Sequence, residues 1–211
     1  IERCEKDDSG TIIILTNLKR KTEYNIEDLS VSLSKLFDFH DEEFKIYLFK
    51  NDEEPIIIDN KLKYENLEPE FEWIFPEFLK VTELDFKYKG EIRGKIITTE
   101  KPLKPGLRGI TLFANGRLVN QPEFFGLSES SHFFSYTTGW LDIDYIDNLS
   151  KDVISTNRQS LDWENEETIE LKEFLKELVK AIHYDWRQKW DEKKKKKIRK
   201  NTKIDLESWY E

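Results

Sequence analysis

The sequence predicts an α+β fold: a β-α-β-β opening, three or four further strands in a mixed sheet, and a long C-terminal helix. Three observations predict it. Ile169, Leu171, Phe174, Leu175, Leu178, Val179, Ile182 and Trp186 recur at helical spacing. Ile26, Leu29, Leu33, Leu36 and Phe37 make a shorter helical face near the start. Between the two lie short β-branched and aromatic runs, separated by Gly, Pro and Asn turn signals.

Taken in order, Thr11 to Leu18 (TIIILTNL) is an apolar run expected to form a buried strand, closed by Lys19-Arg20-Lys21. Asn25 is the expected N-cap of the first helix, with Glu27 and Asp28 in its first turn. Phe44 to Phe49 alternates as a strand does, and Pro55 to Asp59 is a second short strand beyond the turn at residues 51–54. Residues 60–77, acidic and aromatic with Pro69 and Pro76, read as an irregular connection. Leu79 to Tyr88 and Glu91 to Thr99 read as long strands around Lys89-Gly90. Gly109 to Ala114 is an apolar strand, Asn115-Gly116 a hairpin turn, and Arg117-Leu118-Val119 the return. Gly126 to Ser131 reads as mobile, and Phe133 to Tyr145 as one strand containing Gly139. The long helix begins near Glu166 and runs into Lys193-Lys194-Lys195-Lys196-Lys197, Arg199 and Lys200, where basic residues suit a helix C-terminus. Trp209 and Tyr210 close the last stretch.

The 211 residues carry 34 Lys+Arg against 43 Asp+Glu, a net charge of −9. That charge disfavours bulk nucleic-acid binding but not a local patch. It is unevenly spread, acidic over residues 41–72 and basic over residues 187–200. Fourteen Phe, 8 Tyr and 6 Trp suffice for an apolar core and argue against global disorder. One cysteine, Cys4, excludes an internal disulfide framework and a Cys-rich zinc site, and the expected compartment is the reducing cytoplasm. No apolar run reaches the roughly 20 residues of a membrane span, so no membrane partner is expected. The chain opens Ile1-Glu2-Arg3-Cys4, contains no Met and enters its first strand early, which predicts a piece of a longer protein.

No phosphate-binding loop, dinucleotide fingerprint, nucleophile elbow or kinase signature is present. His40, His132 and His183 lack metal-ligand spacing, so no metal ligands are assigned. The strongest local feature is Asp142 to Trp163, which passes from strand through an acidic turn to Ser155-Thr156-Asn157-Arg158-Gln159 and then a helix. Arg158, set between a cap-like Ser-Thr-Asn cluster and a helix, presents a planar cationic fork suited to an anion. The plain alternative is that Arg158 pairs with Asp152 or Asp162 and pins the turn.

Gly139 to Trp163, with Ser155-Thr156-Asn157-Arg158-Gln159-Ser160-Leu161-Asp162 at its centre, resembles the end of the middle domain of the heat-shock protein 90 chaperones. Ser9-Gly10-Thr11-Ile12-Ile13-Ile14-Leu15 resembles the strand that closes the ATP-binding domain of the GHKL ATPases (gyrase B, heat-shock protein 90, histidine kinases, MutL). Leu18-Lys19-Arg20 with the helix after it, and Gly109 to Val119, resemble the MORC branch and its bacterial relatives. The resemblance spans residues 9–190 in order. It implies the last strand of an ATP-binding domain over residues 1–20, a transducer (middle) domain over 21–190 and a basic tail over 191–211. The implied fold is a transducer-type β-α-β domain (ribosomal S5 domain 2-like) with an unusual left-handed crossover.

The resemblance further implies that Arg158, with Asn157 beside it, reaches an ATP γ-phosphate. Asp162 departs from the family's Gln at that place. In the gyrase B and MutL relatives a transducer Lys does this job, for which Lys101 and Lys104 are candidates. ATP and Mg²⁺ belong to the parent protein, and the chain alone is expected to bind neither. The implied partners are an upstream ATP-binding domain and a second copy in a homodimer.

Three rival readings rest on residues alone. Lys193, Lys194, Lys195, Lys196, Lys197, Arg199 and Lys200, with Trp186 and Trp190 before them, suit a nucleic-acid backbone. Glu83, Asp85 and Lys87, with Asp142 and Asp144, suit a Mg²⁺-dependent nuclease. Phe124, Phe125, Phe133, Phe134, Trp140 and Trp163 are either core or an exposed client-binding patch.

Overall fold

A computed structural model describes residues 11–17, 19, 25–36, 45–51, 53–59, 62 and 67–202. Cys4, Phe37, His40, Phe44, Trp209 and Tyr210 lie outside the described residues. Helix α1 (Ile26–Ser34) starts where expected, because the Asn25 Oδ1 accepts the Asp28 N–H at 2.9 Å. Strands β1 (Ile46–Leu48) and β2 (Ile56–Ile58) form a small antiparallel ladder, with Tyr47 opposite Ile57. Asn51 starts their connection in the left-handed region at φ 53°.

The main sheet has five strands: β3 (Pro69–Phe75), β4 (Arg93–Thr99), β5 (Gly109–Ala114), β6 (Arg117–Glu123) and β7 (Thr137–Asp142). Their spatial order is β3-β4-β7-β5-β6. The sheet is mixed, because β7 runs antiparallel to β4 and parallel to β5. Asn115-Gly116 makes the β5–β6 turn as expected, with both residues at positive φ, 48° and 70°. The short helices are α2 (Glu77–Lys80) and α3 (His132–Tyr136). Helix α4 (Glu166–Thr202) spans 37 residues. Its start is fixed by the Asn165 Oδ1, which accepts the Glu167 N–H at 3.0 Å. No described helix is long and apolar enough to cross a membrane.

The core lies between α4 and one sheet face. Leu171, Phe174, Leu175, Leu178, Val179 and Ile182 meet Ile96, Ile110, Leu112 and Leu141 there. Each such buried side chain contributes ~1.5–3 kcal/mol. Phe124, Phe125, Phe133 and Phe134 are buried in the same core, and Trp140 and Trp163 are half-buried.

Several expectations need correction. Thr11 to Thr16 forms no strand, and Ile12, Ile13, Ile14 and Leu15 are 71, 79, 64 and 71% exposed. The reason is plain: a strand needs a ladder partner, and none stands among the described residues. Leu79 to Tyr88 is not a strand either. After α2 it is an extended strap whose alternate residues Leu84, Phe86 and Tyr88 pack on the core. Phe86 stacks on Phe174 at 4.7 Å, and Tyr88 on Tyr145 at 4.0 Å. The alternation reports one-sided burial, which a ladder and a strap share. The partners of β4 are β7 and β3, the latter inside the segment expected to be irregular. Phe133 to Tyr145 divides into α3, β7 and a 3₁₀ turn over Asp144–Asn148. Gly126 to Ser131 leads into α3, whose N-cap is Ser131.

Gly139 sits where β4 and β7 approach closely. A Cβ there would lie 2.5 Å from the Lys95 carbonyl oxygen and 2.7 Å from the Ile96 Cα. Gly90, by contrast, would meet nothing within 4 Å. Gly139→Ala should therefore destabilise the fold by ~1–3 kcal/mol or more, whereas Gly90→Ala should stay within ~0.5 kcal/mol. Urea unfolding midpoints of the two variants check this; equal midpoints would show that the strands can separate freely.

Candidate functional site

Arg158 is held by a turn, not by a helix cap. Ile154 and Leu161 form an isolated antiparallel bridge, so residues 155–160 make a tight loop. The Ser155 N–H donates to the Ser160 carbonyl at 3.0 Å, and the Arg158 N–H donates to the Ser155 carbonyl at 2.7 Å. The Asn157 Oδ1 accepts from the Ser155 hydroxyl at 2.9 Å and the Gln159 N–H at 3.1 Å. Short polar side chains compete well for backbone donors in such loops. The expected Ser-Thr-Asn cap is thus corrected: the cluster closes a loop, and α4 starts only at Glu166. The loop is tied to the sheet edge, where the Gln121 N–H donates to the Gln159 carbonyl at 3.0 Å. The Leu161 N–H donates to the Asn120 Oδ1 at 3.2 Å.

Within this loop Arg158 takes φ 53°, a conformation that non-Gly residues adopt at some cost. It lines a cleft of 490 Å³ with Ile146, Lys151, Asp152, Ser155 and Thr156. Its Nη1 is buried and has no hydrogen-bond acceptor. The expected alternative, a pair with Asp152 or Asp162, does not form. The Asp152 Oδ1 accepts the Ile154 N–H at 3.0 Å, and the Asp162 Oδ1 accepts the Glu164 N–H at 3.0 Å. A buried guanidinium donor without an acceptor costs on the order of 1–3 kcal/mol. Such a cost is usual where a ligand supplies the missing partner.

Lys101 and Lys104 are exposed in the loop after β4. Lys104 does not share the Arg158 cleft, and neither does Lys101. Asn157 does not line that cleft; its side-chain Oδ1 shapes the loop.

The basic run is only partly available. Lys193 donates to Glu70 and to Glu100, at 2.8 Å each, clamping α4 to the β3 edge and the end of β4. Its ammonium is thus already engaged by two carboxylates while its side chain stays exposed. Lys194 lies over the Trp190 ring at 5.5 Å. Lys195, Lys196, Lys197 and Arg199 are exposed, while the Lys200 side chain lies outside the described residues. A second clamp sits about two helical turns earlier, where Asp185 accepts the Trp73 indole N–H at 2.6 Å and pairs with Lys189 at 2.8 Å.

The acids of the nuclease reading have other tasks. Asp85 pairs with Lys89 at 3.8 Å, and Lys87 with Glu167 at 3.9 Å. Asp144 accepts the Asn115 N–H at 2.7 Å. Among the described residues no group of three or more His, Cys, Asp or Glu side chains could hold a metal ion. His132 is exposed. His183 stacks on Phe133 at 4.6 Å, and burial, followed by the Arg187 charge, holds its pKa below the ordinary value.

No family model matches the chain, and no curated protein matches it.

The Lys193 clamp has a defined pH window. The Lys193 hydrogen bond holds Glu100 below its ordinary 4.5, so its contribution is present above that range and fades as pH falls through the lowered pKa. Hydrogen bonds to Glu100 and then Glu70 hold Lys193 above its ordinary 10.5, so its contribution lasts until pH rises through the raised pKa. Lys193→Gln should speed amide hydrogen exchange over residues 190–199 a few-fold at neutral pH. The difference from the parent chain should close as Glu100 protonates. Exchange rates by NMR at several pH values decide it, and a difference unchanged on acidification would rule out the clamp.

Proposed function

We propose that the chain is the transducer (middle) domain of a GHKL ATPase of the heat-shock protein 90-like group, preceded by the closing strand of an ATP-binding domain. The observation that carries the reading is Arg158, whose buried Nη1 lacks an acceptor beside a 490 Å³ cleft. A terminal phosphate offered by a neighbouring domain supplies the acceptor that the chain does not. The exposed run Ile12 to Leu15 supports the same reading. Four consecutive aliphatic side chains in water suit a strand whose sheet belongs to another domain. The departure at Asp162 does not oppose the reading, since that carboxylate accepts the Glu164 N–H and does not line the cleft.

In this mechanism ATP and Mg²⁺ bind the neighbouring domain. Arg158, on a loop tied to the sheet edge at Asn120 and Gln121, donates to the γ-phosphate once the domains close. Its charge stabilises the closed state and the charge that develops in hydrolysis. The sheet and α4 relay that closure to a partner or a second subunit. Lys101 and Lys104 are the alternative donors, as in the gyrase B branch. A second reading, a nucleic-acid module, is favoured by the exposed Lys195, Lys196 and Lys197.

The test uses the parent protein with its ATP domain. Arg158→Ala should lower kcat by ~10²–10³ with little change in ATP affinity. Steady-state turnover and nucleotide titration measure the two quantities, and unchanged turnover refutes the role. The chain of 211 residues alone should show no micromolar ATP binding by calorimetry.

A further inference from the structure

We propose that a second cleft, formed by the end of α1, the loop at residues 105–108 and the sheet face of Thr111, Phe113 and Thr138, binds a small organic anion. The ligand class is a carboxylate or phosphate carried on an apolar body. This site makes no use of Arg158 and shares no lining residue with the Arg158 cleft, although Lys104, an alternative donor in the ATPase reading, stands beside it.

The cleft has a volume of 390 Å³, within the ~300–1,000 Å³ typical of small-ligand sites. Its wall is chemically divided. Leu36, Leu107 and Phe113 give it an apolar surface, while Lys35 and Arg108 give it two cations. Among the described residues no acidic side chain lines it. Arg108 is aimed by its Nε, which donates to the Leu103 carbonyl at 2.8 Å. Its two terminal nitrogens have no partner among the described residues, so a bidentate fork is left for a ligand.

A third cation stands close by. Burial, followed by the Lys104 charge, holds the Lys35 amine below its ordinary pKa. Three cations gathered around a partly desolvated apolar wall repel one another. A bound anion relieves both the repulsion and the desolvation. The apolar wall then selects ligands with a hydrocarbon or aromatic body over bare ions. The end of α1 is tied to the sheet, where the Leu118 N–H donates to the Leu36 carbonyl at 3.3 Å, and the loop at 105–108 is closed by the Leu107 N–H on the Lys104 carbonyl at 2.9 Å.

Titration of the isotope-labelled chain with 4-phenylbutyrate, phenyl phosphate, inorganic phosphate and the neutral 4-phenylbutanol tests the proposal. One or both organic anions should shift the amide signals of Gly106, Leu107, Thr111 and Thr138, and which one does so separates a carboxylate from a phosphate ligand. Inorganic phosphate and the alcohol should bind at least ~10-fold more weakly, since each lacks half of the recognition. Lys35→Gln and Lys104→Gln, checked for an intact amide spectrum, should each weaken the preferred anion several-fold. Lys35 is half-buried and Lys104 exposed, so the intact spectrum separates a lost charge from a lost fold. Equal binding of the alcohol, equal binding of inorganic phosphate, shifts confined to other residues, no binding of either anion, or full affinity in both variants overturns the proposal.

Discussion

A sheet with one apolar face cannot leave that face in water, and here a single helix covers it. Leu171, Phe174, Leu175, Leu178, Val179 and Ile182 of α4 close the core over Ile96, Ile110, Leu112 and Leu141. Strand β3 and helix α3 pack into the same core through Trp73, Phe75, Phe133 and Phe134. The strap from Thr82 to Tyr88 packs along α4 through Phe86 and Phe174. The segment before α4 is consequently fixed at its far end, which leaves residues 142–165 a short path from β7 to the helix. The Arg158 loop lies on that path and inherits its rigidity from both sides.

The two clefts illustrate different ways of holding a cation ready. Arg158 is strained and partly buried in a loop stitched by Ser155 and Asn157, so its cost is conformational. Lys35 and Arg108 sit on the ends of regular elements, and their cost is electrostatic. Backbone strain holds a group in one direction, whereas charge repulsion sets how strongly it responds when an anion arrives.

Where the sequence was legible, local physics decided. The α4 stripe, the Asn25 cap and the Asn115-Gly116 turn are short-range signals, and all three appear as expected. Pairing was less legible. Thr82 to Tyr88 alternates because one side is buried, and only the tertiary structure shows that the burial comes from packing and not from a ladder. Strand β3 was hidden by Pro69 and Glu70 at its start, which suit an edge strand. Arg158 stood out in the sequence as a cation among short polar residues, but the loop that holds it did not. Lys193 looked free because its partners Glu70 and Glu100 lie 123 and 93 residues away. The Lys35 and Arg108 cleft had no sequence signal, since α1 and β5 meet only in the fold.

The two clamps along α4 have a mechanical consequence. As far as Ile182 the helix is held by apolar burial, which salt leaves largely intact. From Asp185 onward ion pairs and lysines over Trp73 and Phe71, which salt weakens, add to the packing of Trp186. Beyond Trp190 the helix continues for roughly 18 Å at 1.5 Å per residue. The far end is therefore a lever arm whose stiffness is set by ionic strength while its fulcrum stays fixed.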